Sequence, residues 1–454
     1  MLASTGAAEA APLDGARLSL GWAVPFLGLL ISIGLGPLLA ENFWHRHYGK
    51  IAFVWAAGLA LALAFRVGFA AASEAVADAL VADYLPFILM MFALYVTAGG
   101  VVLRAAAHGR PAINTLLLAI GTVAASFIGV TAASMIMIRP LLHSNYERTR
   151  KAHVVVFFIF LVANIGGALT PLGNPPLFFG FINGVDFFWP AVHQWPQTLF
   201  ATAVLLALFF AIDAWLLASE PKPPRARPHD IPTRFKGAGN LLLLALAVAA
   251  IVAGGLWNPG RGFAVFGVKI AAQDAARDLA MIVIGLASLT LTDRAARAAN
   301  GFEWAPLAEV AKLFAAIFVC IVPLFAILDA GRDGALAWLI DKMALPGGAP
   351  DPVAYFWFTG LISAALDNAP TYLVAFNLAG GDPIHLMGAE ASTLKAIGLG
   401  AAFMGALTYI GNAPNFMIYA MARRAGFAMP SFFGYMASAA VLLAPVFVAV
   451  SFML

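Results

Sequence analysis

The sequence predicts an all-α polytopic membrane protein of about ten transmembrane helices plus two re-entrant hairpins, arranged as two inverted repeats with two broken helices at the midplane. Three observations predict it. Of 454 residues, 62% are hydrophobic and 11% charged, against roughly 25% charged in soluble proteins, and the mean hydropathy is +0.89, so a bilayer must be the solvent. Apolar runs of spanning length recur along the whole chain. An eleven-residue motif of the first half returns in the second.

Runs at 21–40, 51–73 and 85–103 open the chain. The first is long enough to span, and Glu9 and Asp14 precede Arg17, unlike the basic start of a secretory leader, so it reads as a retained helix. The next run, 111–138, is too long for a single span and is interrupted by small and polar residues. Arg104 and Arg110 precede it and Arg139, Arg148, Arg150 and Lys151 follow it. Lysine and arginine mark the cytoplasmic side, so both ends read as cytoplasmic and the segment as a re-entrant hairpin centred near Ser126. Runs at 154–182 and 198–218 complete repeat 1, residues 1–219. The Pro- and Arg-rich stretch 220–237 reads as a cytoplasmic linker. Repeat 2, residues 238–454, has runs at 239–256, 279–292, 311–328, 396–421 and 431–452. Its long run, 352–378, flanked by Asp351, Asp382 and Glu390, reads as a hairpin entering from outside, centred near Ser363. By the same charges His45–Lys50, Arg294/Arg297 with Lys312, and Arg423/Arg424 lie inside. The Glu74/Asp78/Asp83 loop, the 257–278 and 329–351 connections and both termini lie outside.

Aligning Gly166–Pro176 with Met404–Pro414 gives seven identities in eleven positions at an offset of 238, close to the separation of the two hairpin centres. Each repeat therefore carries a hairpin and the broken helix that follows it, a common build for secondary transporters, which bind cargo at the midplane between repeats. Proline removes an amide donor and glycine permits non-helical dihedrals, so the helices unwind at Asn164–Pro176 and Gly405–Asn415. Irregular backbone at that depth is tolerated only where it is buried in protein or lines a cavity, and the freed half-helix ends suit ions: N-terminal amides for anions, C-terminal carbonyls for cations.

The candidate binding residues are Asn164, Thr170, Gly173 and Asn174 in the first break and Thr408, Gly411, Asn412 and Asn415 in the second. Ser126 and Thr131 join them from the first hairpin tip, and Ser363, Asp367, Asn368 and Thr371 from the second. Asp367 is distinct, because a carboxylate deep in an apolar segment costs on the order of 3 kcal/mol unless it is protonated, paired or ion-bound. Asp367, Asn174 and Asn412 are the candidate sodium ligands. Asp213 and Arg66, near helix ends, read as snorkelling or paired. His45, His47, His143 and His153 read as interfacial residues without metal-ligand spacing.

The basic residues, which leave a net charge of +3, cluster between apolar runs, a pattern of membrane orientation that excludes a nucleic-acid partner. The single Cys320 allows no intrachain disulfide and reads as a small buried hydrophobe. The HExxH, Walker A and serine-elbow signatures of enzymes are missing, so the chain reads as no enzyme, with no cofactor beyond sodium ion and proton as coupling ions.

Over nearly its whole length the chain resembles the ion transporter superfamily, and within it a bacterial group named both as sodium/proton antiporters and as citrate transporters. The segments Ala163–Phe181, Leu366–Thr371 and Thr408–Asn415 carry the resemblance. It implies a bacterial inner-membrane transporter in which hairpins and broken helices form a mobile, elevator-like transport domain whose tips and breaks coordinate sodium and substrate, on a scaffold that usually forms a homodimer. Relatives commonly have Asp where Asn174 stands, and often Thr or Asn where Val130 stands. Two cargo readings remain open: sodium/proton antiport on one titratable carboxylate, and sodium- or proton-coupled transport of citrate or a dicarboxylate. A membrane-embedded enzyme or structural protein would leave the matched breaks without a purpose.

Overall fold

A computed structural model describes residues 13–104, 109–220, 234–265 and 267–454. Glu9 and residues 221–233 of the proposed linker lie outside the described residues. Eight described helices are long and apolar enough to cross a membrane: Leu20–Pro37, Asn42–Val67, Phe69–Gly99, Pro111–Ile128, Trp189–Ala218, Ala238–Leu256, Ala305–Asp329 and Phe432–Ser451. Shorter apolar helices cover Ala152–Gly167, Pro352–Ala365 and Ala391–Leu407. The chain is an all-α polytopic membrane protein. Large apolar side chains left exposed on its outer faces, such as Leu27, Ile31 and Leu35 on the first span, suit contact with lipid rather than water.

Several boundaries differ from the sequence reading. His45–Lys50 is not a loop but part of a helix, Glu41–Val67, which ends where Gly68 takes a φ of 91°. The expected Glu74/Asp78/Asp83 loop is helical too: Phe69–Asp78 runs through a π-helical turn, Ala79–Tyr84, into Leu85–Gly99. Alanine fills much of this stretch, and its helix propensity outweighs three isolated acids. The 279–292 helix begins early, at Ala272, because buried Arg277 donates to Asp274 at 2.8 Å and Asp278 at 3.0 Å, so that these charges pair within the helix. The 311–328 helix likewise starts at Ala305, with Pro306 in its first turn, where a missing amide costs nothing. Two short antiparallel ribbons were not anticipated: Val102–Arg104 pairs with Arg234–Lys236, and Gly262–Val265 with Val268–Ala271. Cys320 is fully buried.

Both long runs fold as helical hairpins. The first joins Pro111–Ile128 to Val130–Ser144 through Gly129 alone, at a φ of 86°, a conformation that side chains on Cβ disfavour. The second joins Pro352–Ala365 to Asn368–Leu378 through Leu366 and Asp367. In each the two arms pack against one another, and the outgoing arm crosses to the other half of the chain. Val130–Ser144 packs on Ala413–Arg424, and Asn368–Leu378 packs on Pro175–Ile182. A second group, comprising Val24–Leu39, Glu41–Val67, Leu85–Gly99, Ala238–Leu256, Ala272–Leu291 and Ala305–Asp329, is linked by its own helix contacts.

At the base of the first hairpin lies a buried polar joint. Asp213, from the Trp189–Ala218 helix, is fully buried and accepts hydrogen bonds from Arg148 and from Asn114 at 2.9 Å, with His153 Nε2 at 2.8 Å. Asn145 donates to Asn114 at 2.8 Å. Asp213 is therefore paired, and His153, expected at the interface, is instead half-buried against it. The reason is proximity in the fold: the hairpin's two ends and the helix that follows converge on a single carboxylate.

Candidate functional site

The two repeated motifs build the same local structure. The first broken helix runs as Ala152–Leu161, unwinds, and restarts at Pro175–Ile182; the second runs as Ala391–Met404, unwinds, and restarts at Ala413–Arg424. Asn174 and Asn412 precede the restarts with nearly equal dihedrals, φ −144° and ψ 138° against φ −155° and ψ 136°. Thr170 donates to the Ser126 carbonyl, and Thr408 to the Ala364 carbonyl at 2.6 Å, each threonine fastening its break to its own hairpin. The amide of Gly173 donates to Thr170 Oγ1 at 3.1 Å, and that of Gly411 to Thr408 Oγ1 at 2.9 Å. Glycine is required at these loops by close approach: a Cβ on Gly167 would lie 2.7 Å from the Gly173 carbonyl oxygen, and one on Gly405 would lie 2.9 Å from that of Gly411. Each of these features recurs 238 residues later in the chain.

Asparagines then cross-link the two breaks. Asn164 donates to Asn415 Oδ1 at 2.8 Å, and Asn412 donates to the Ala163 carbonyl at 2.8 Å and to Asn164 Oδ1 at 3.2 Å. Asn415 holds its own break by donating to the Gly405 and Thr408 carbonyls, both at 2.9 Å. Asn368, at the second hairpin tip, donates to Asn174 Oδ1 at 3.0 Å. The position equivalent to Asn368 in the first hairpin is Val130, which offers no side-chain bond, and Asn412 is engaged by the first break instead. Two consequences follow. Neither Asn174 nor Asn412 spends its side chain as an N-cap; Pro175 and Pro176 carry no amide at the first restart, whereas Ala413 opens the second with an amide that no capping side chain satisfies. Moreover, Asn174 Nδ2 and Asn368 Oδ1 are buried without a partner, where an unmade bond costs roughly 1–3 kcal/mol.

Asp367 sits at the second tip as N-cap of Asn368–Leu378, its Oδ1 accepting from the Ala369 amide at 3.1 Å, while Thr371 donates to its carbonyl at 2.7 Å. With Asn412 it lines a cavity of about 350 Å³. Three helices wall this funnel in stripes of helical spacing: Ile33 and Pro37, then Ala305, Glu309 and Leu313, then Ala413, Met417, Ala420 and Arg424. From Asn412 to Arg424 is twelve residues, so the funnel is about 18 Å deep at helical rise. Its mouth carries His45 and an exposed ion pair, Glu303 with Arg424 at 3.4 Å.

The other candidates fall outside this funnel. Ser126 and Ser363 donate to the Gly166 and Ala401 carbonyls and so serve to fasten the tips. Thr131 borders a void of about 10 Å³ shared with Gly129, Val130 and Gly173, and the Val130 amide closes the tip onto the Gly173 carbonyl at 2.8 Å. Sequence reasoning missed Glu309, Tyr409 and the Glu303–Arg424 mouth. Trp304 followed by Ala305-Pro306 was the available signal, since an interfacial aromatic and an early proline mark a helix start and would have placed Glu309 inside the helix.

A family model described as "Putative citrate transport" matches residues 15–454. No curated protein matches the chain.

Proposed function

We propose a coupled transport mechanism for this chain, which belongs to the putative citrate transport family, a citrate transporter group of the ion transporter superfamily: exchange of sodium for protons at Asp367. The observation that carries this reading is the charge of the funnel. Glu303 and Arg424 neutralise one another at the mouth, leaving Asp367 and Glu309 against a single imidazole, His45. An interior with an excess of carboxylates attracts cations and repels a free polycarboxylate. The unpartnered Asn368 Oδ1 beside Asp367 adds a neutral oxygen of the kind that hard cations take. On this reading Asp367 and Asn412 hold sodium from the funnel wall, with Asn174 behind them through its bond to Asn368, the two hairpins and broken helices move as one transport body against the remaining helices, and the mouth faces the cytoplasm.

The family description favours a second reading, in which citrate or a dicarboxylate is the cargo and sodium or protons drive it. Its structural support is the Ala413–Arg424 half-helix, whose uncapped start lines the funnel and suits a carboxylate. Reconstitution in sealed proteoliposomes separates the two. Sodium-driven pH change without labelled citrate uptake supports exchange, and citrate uptake driven by a sodium or proton gradient supports the second reading.

Asn174→Ala and Asn412→Ala should each raise the half-saturation constant for the transported ion about tenfold, the equivalent of about 1.4 kcal/mol, with the protein still folded in detergent. Unchanged constants in both variants would remove these residues from the site.

We further propose that the hairpins enter from opposite faces of a bacterial inner membrane, with both termini outside and the chain assembled as a homodimer. Cysteines in place of exposed Arg110 and Ile384 should react with an impermeant thiol reagent from opposite sides. The buried native Cys320 leaves a low background. Labelling of both positions from one side would overturn the inverted arrangement.

A further inference from the structure

In the exchange reading Glu309 adds negative charge to the funnel but takes no part in the exchange step at Asp367. It projects into the funnel one turn inside the mouth, between Ala305 and Leu313 on the same helix face. It shares the funnel wall with buried Trp44 and with His45, which is exposed at the mouth. Glu309 and His45 place a carboxylate and an imidazole on the wall of one open cavity. The same pair is well suited to protons, since histidine gains and loses one near neutral pH and carboxylates and imidazoles are effective positioned proton-transfer groups.

The charged and titratable groups around Glu309 are few. His45 approaches from the Glu41–Val67 helix, the Glu303–Arg424 pair borders the mouth, and Tyr95, Tyr409 and Asp367 lie on the wall. Lys312, on its own helix, is turned over the Tyr48 ring at 5.4 Å. The Val24–Leu39 helix contributes only apolar Ile33 and Pro37 to the wall.

We infer that Glu309, with His45, is a proton relay between bulk water at the mouth and Asp367 at the depth of the funnel. The inference rests on the exchange reading above. When sodium displaces the proton of Asp367, that proton passes through water in the funnel to the Glu309 carboxylate, from there to the neutral His45 imidazole, and finally to bulk water. The reverse sequence reloads Asp367. Only O–H and N–H bonds form and break, and the proton count balances at each step.

The test uses the full-length protein in proteoliposomes with an entrapped pH dye, comparing sodium-driven proton flux between pH 6.5 and 9 at about half-unit steps. Glu309→Gln should slow the flux at saturating sodium about tenfold, most severely at high pH, where protons are scarce. Added imidazole, small enough to enter the funnel, should restore much of the lost rate, and Glu309→Asp should retain most of it. His45→Ala, at an exposed position that does not threaten folding, should also slow the flux and respond to imidazole. A Glu309→Gln variant at the unmodified rate, or a slow variant that imidazole does not rescue, overturns the relay. Should Glu309→Gln fail to fold, a His45→Ala protein at full rate does so. An unmodified protein that moves no protons in response to sodium overturns the exchange reading and the relay together, so the two failures are distinguishable.

Discussion

Replacing Asp367 by Asn is expected to abolish coupled exchange while leaving the fold intact. The substitution is nearly isosteric, and its amide oxygen can still accept from the Ala369 amide that Asp367 Oδ1 caps at 3.1 Å, because Asn and Asp are equivalent N-caps. What is lost is the negative charge. A carboxylate at the tip of an apolar hairpin holds either a proton or a cation, since bearing neither leaves an uncompensated charge at membrane depth, and the two ligands therefore compete. An amide holds no proton and binds sodium only through a dipole. The expected result is a flux at the level of empty liposomes together with an unchanged melting profile in detergent. One carboxylate exchanging one sodium for one proton moves no net charge, so with Asn174 neutral the unmodified exchange should also be insensitive to membrane potential. Asn174→Asp would add a second acid at the equivalent of the funnel's Asn412, opening a potential-dependent ratio. Transport of a labelled acid under the citrate reading also suffers in Asp367→Asn through weaker sodium binding, but only that reading expects acid uptake by the unmodified protein. Exchange by Asp367→Asn at the unmodified rate would sink the mechanism whatever the cargo.

The parts of this architecture that were legible from sequence are those set by composition and by punctuation. Long apolar runs located most spans, and the Gly/Pro/Asn motifs located both helix breaks, because a missing amide or a missing Cβ acts locally. Gly129 turned the first overlong run into a hairpin for the same reason, whereas the second turns at Leu366 and Asp367, where the Asp367 side chain caps the outgoing helix. Boundaries were misplaced where charge suggested a loop and the fold supplied a partner. Arg277 pairs with Asp274 and Asp278 inside a helix, and His45 lies on a helix that begins four residues before it. The funnel was the least legible feature. Its walls come from residues near 33, 309 and 417, far apart in sequence, and only packing brings Glu309 into the space above Asp367. The Asn164–Asn415 and Asn174–Asn368 bonds are of the same kind: the asparagines were recognisable as polar intrusions, whereas their pairing required the crossing of each hairpin onto the other half.

Asp213→Ala should be the most destabilising single change in the described structure outside the site. Arg148 is 2% exposed and Asp213 fully buried, so removing the carboxylate leaves a guanidinium in a dry joint, with Asn114 and His153 also deprived of their shared acceptor. Breaking one side of a buried pair costs about 3–5 kcal/mol, most of it the penalty of the charge left behind. Glu220, 3.6 Å from Arg148 Nε, offsets part of that loss but stands too far away to replace Asp213. Removing both charges together with Arg148→Met and Asp213→Leu should therefore recover part of the stability, since apolar replacements of a buried pair are often close to neutral, less the cost of leaving the buried Glu220 carboxylate without Arg148. The measurement is the midpoint of thermal unfolding in detergent, compared across the two single variants and the double. A double variant no more stable than Asp213→Ala would mean that the joint's hydrogen bonds, not its charges, hold the base of the first hairpin. An Asp213→Ala protein that melts with the unmodified one would show that water reaches Arg148 and that the first hairpin needs no ionic fastening to the helices around it.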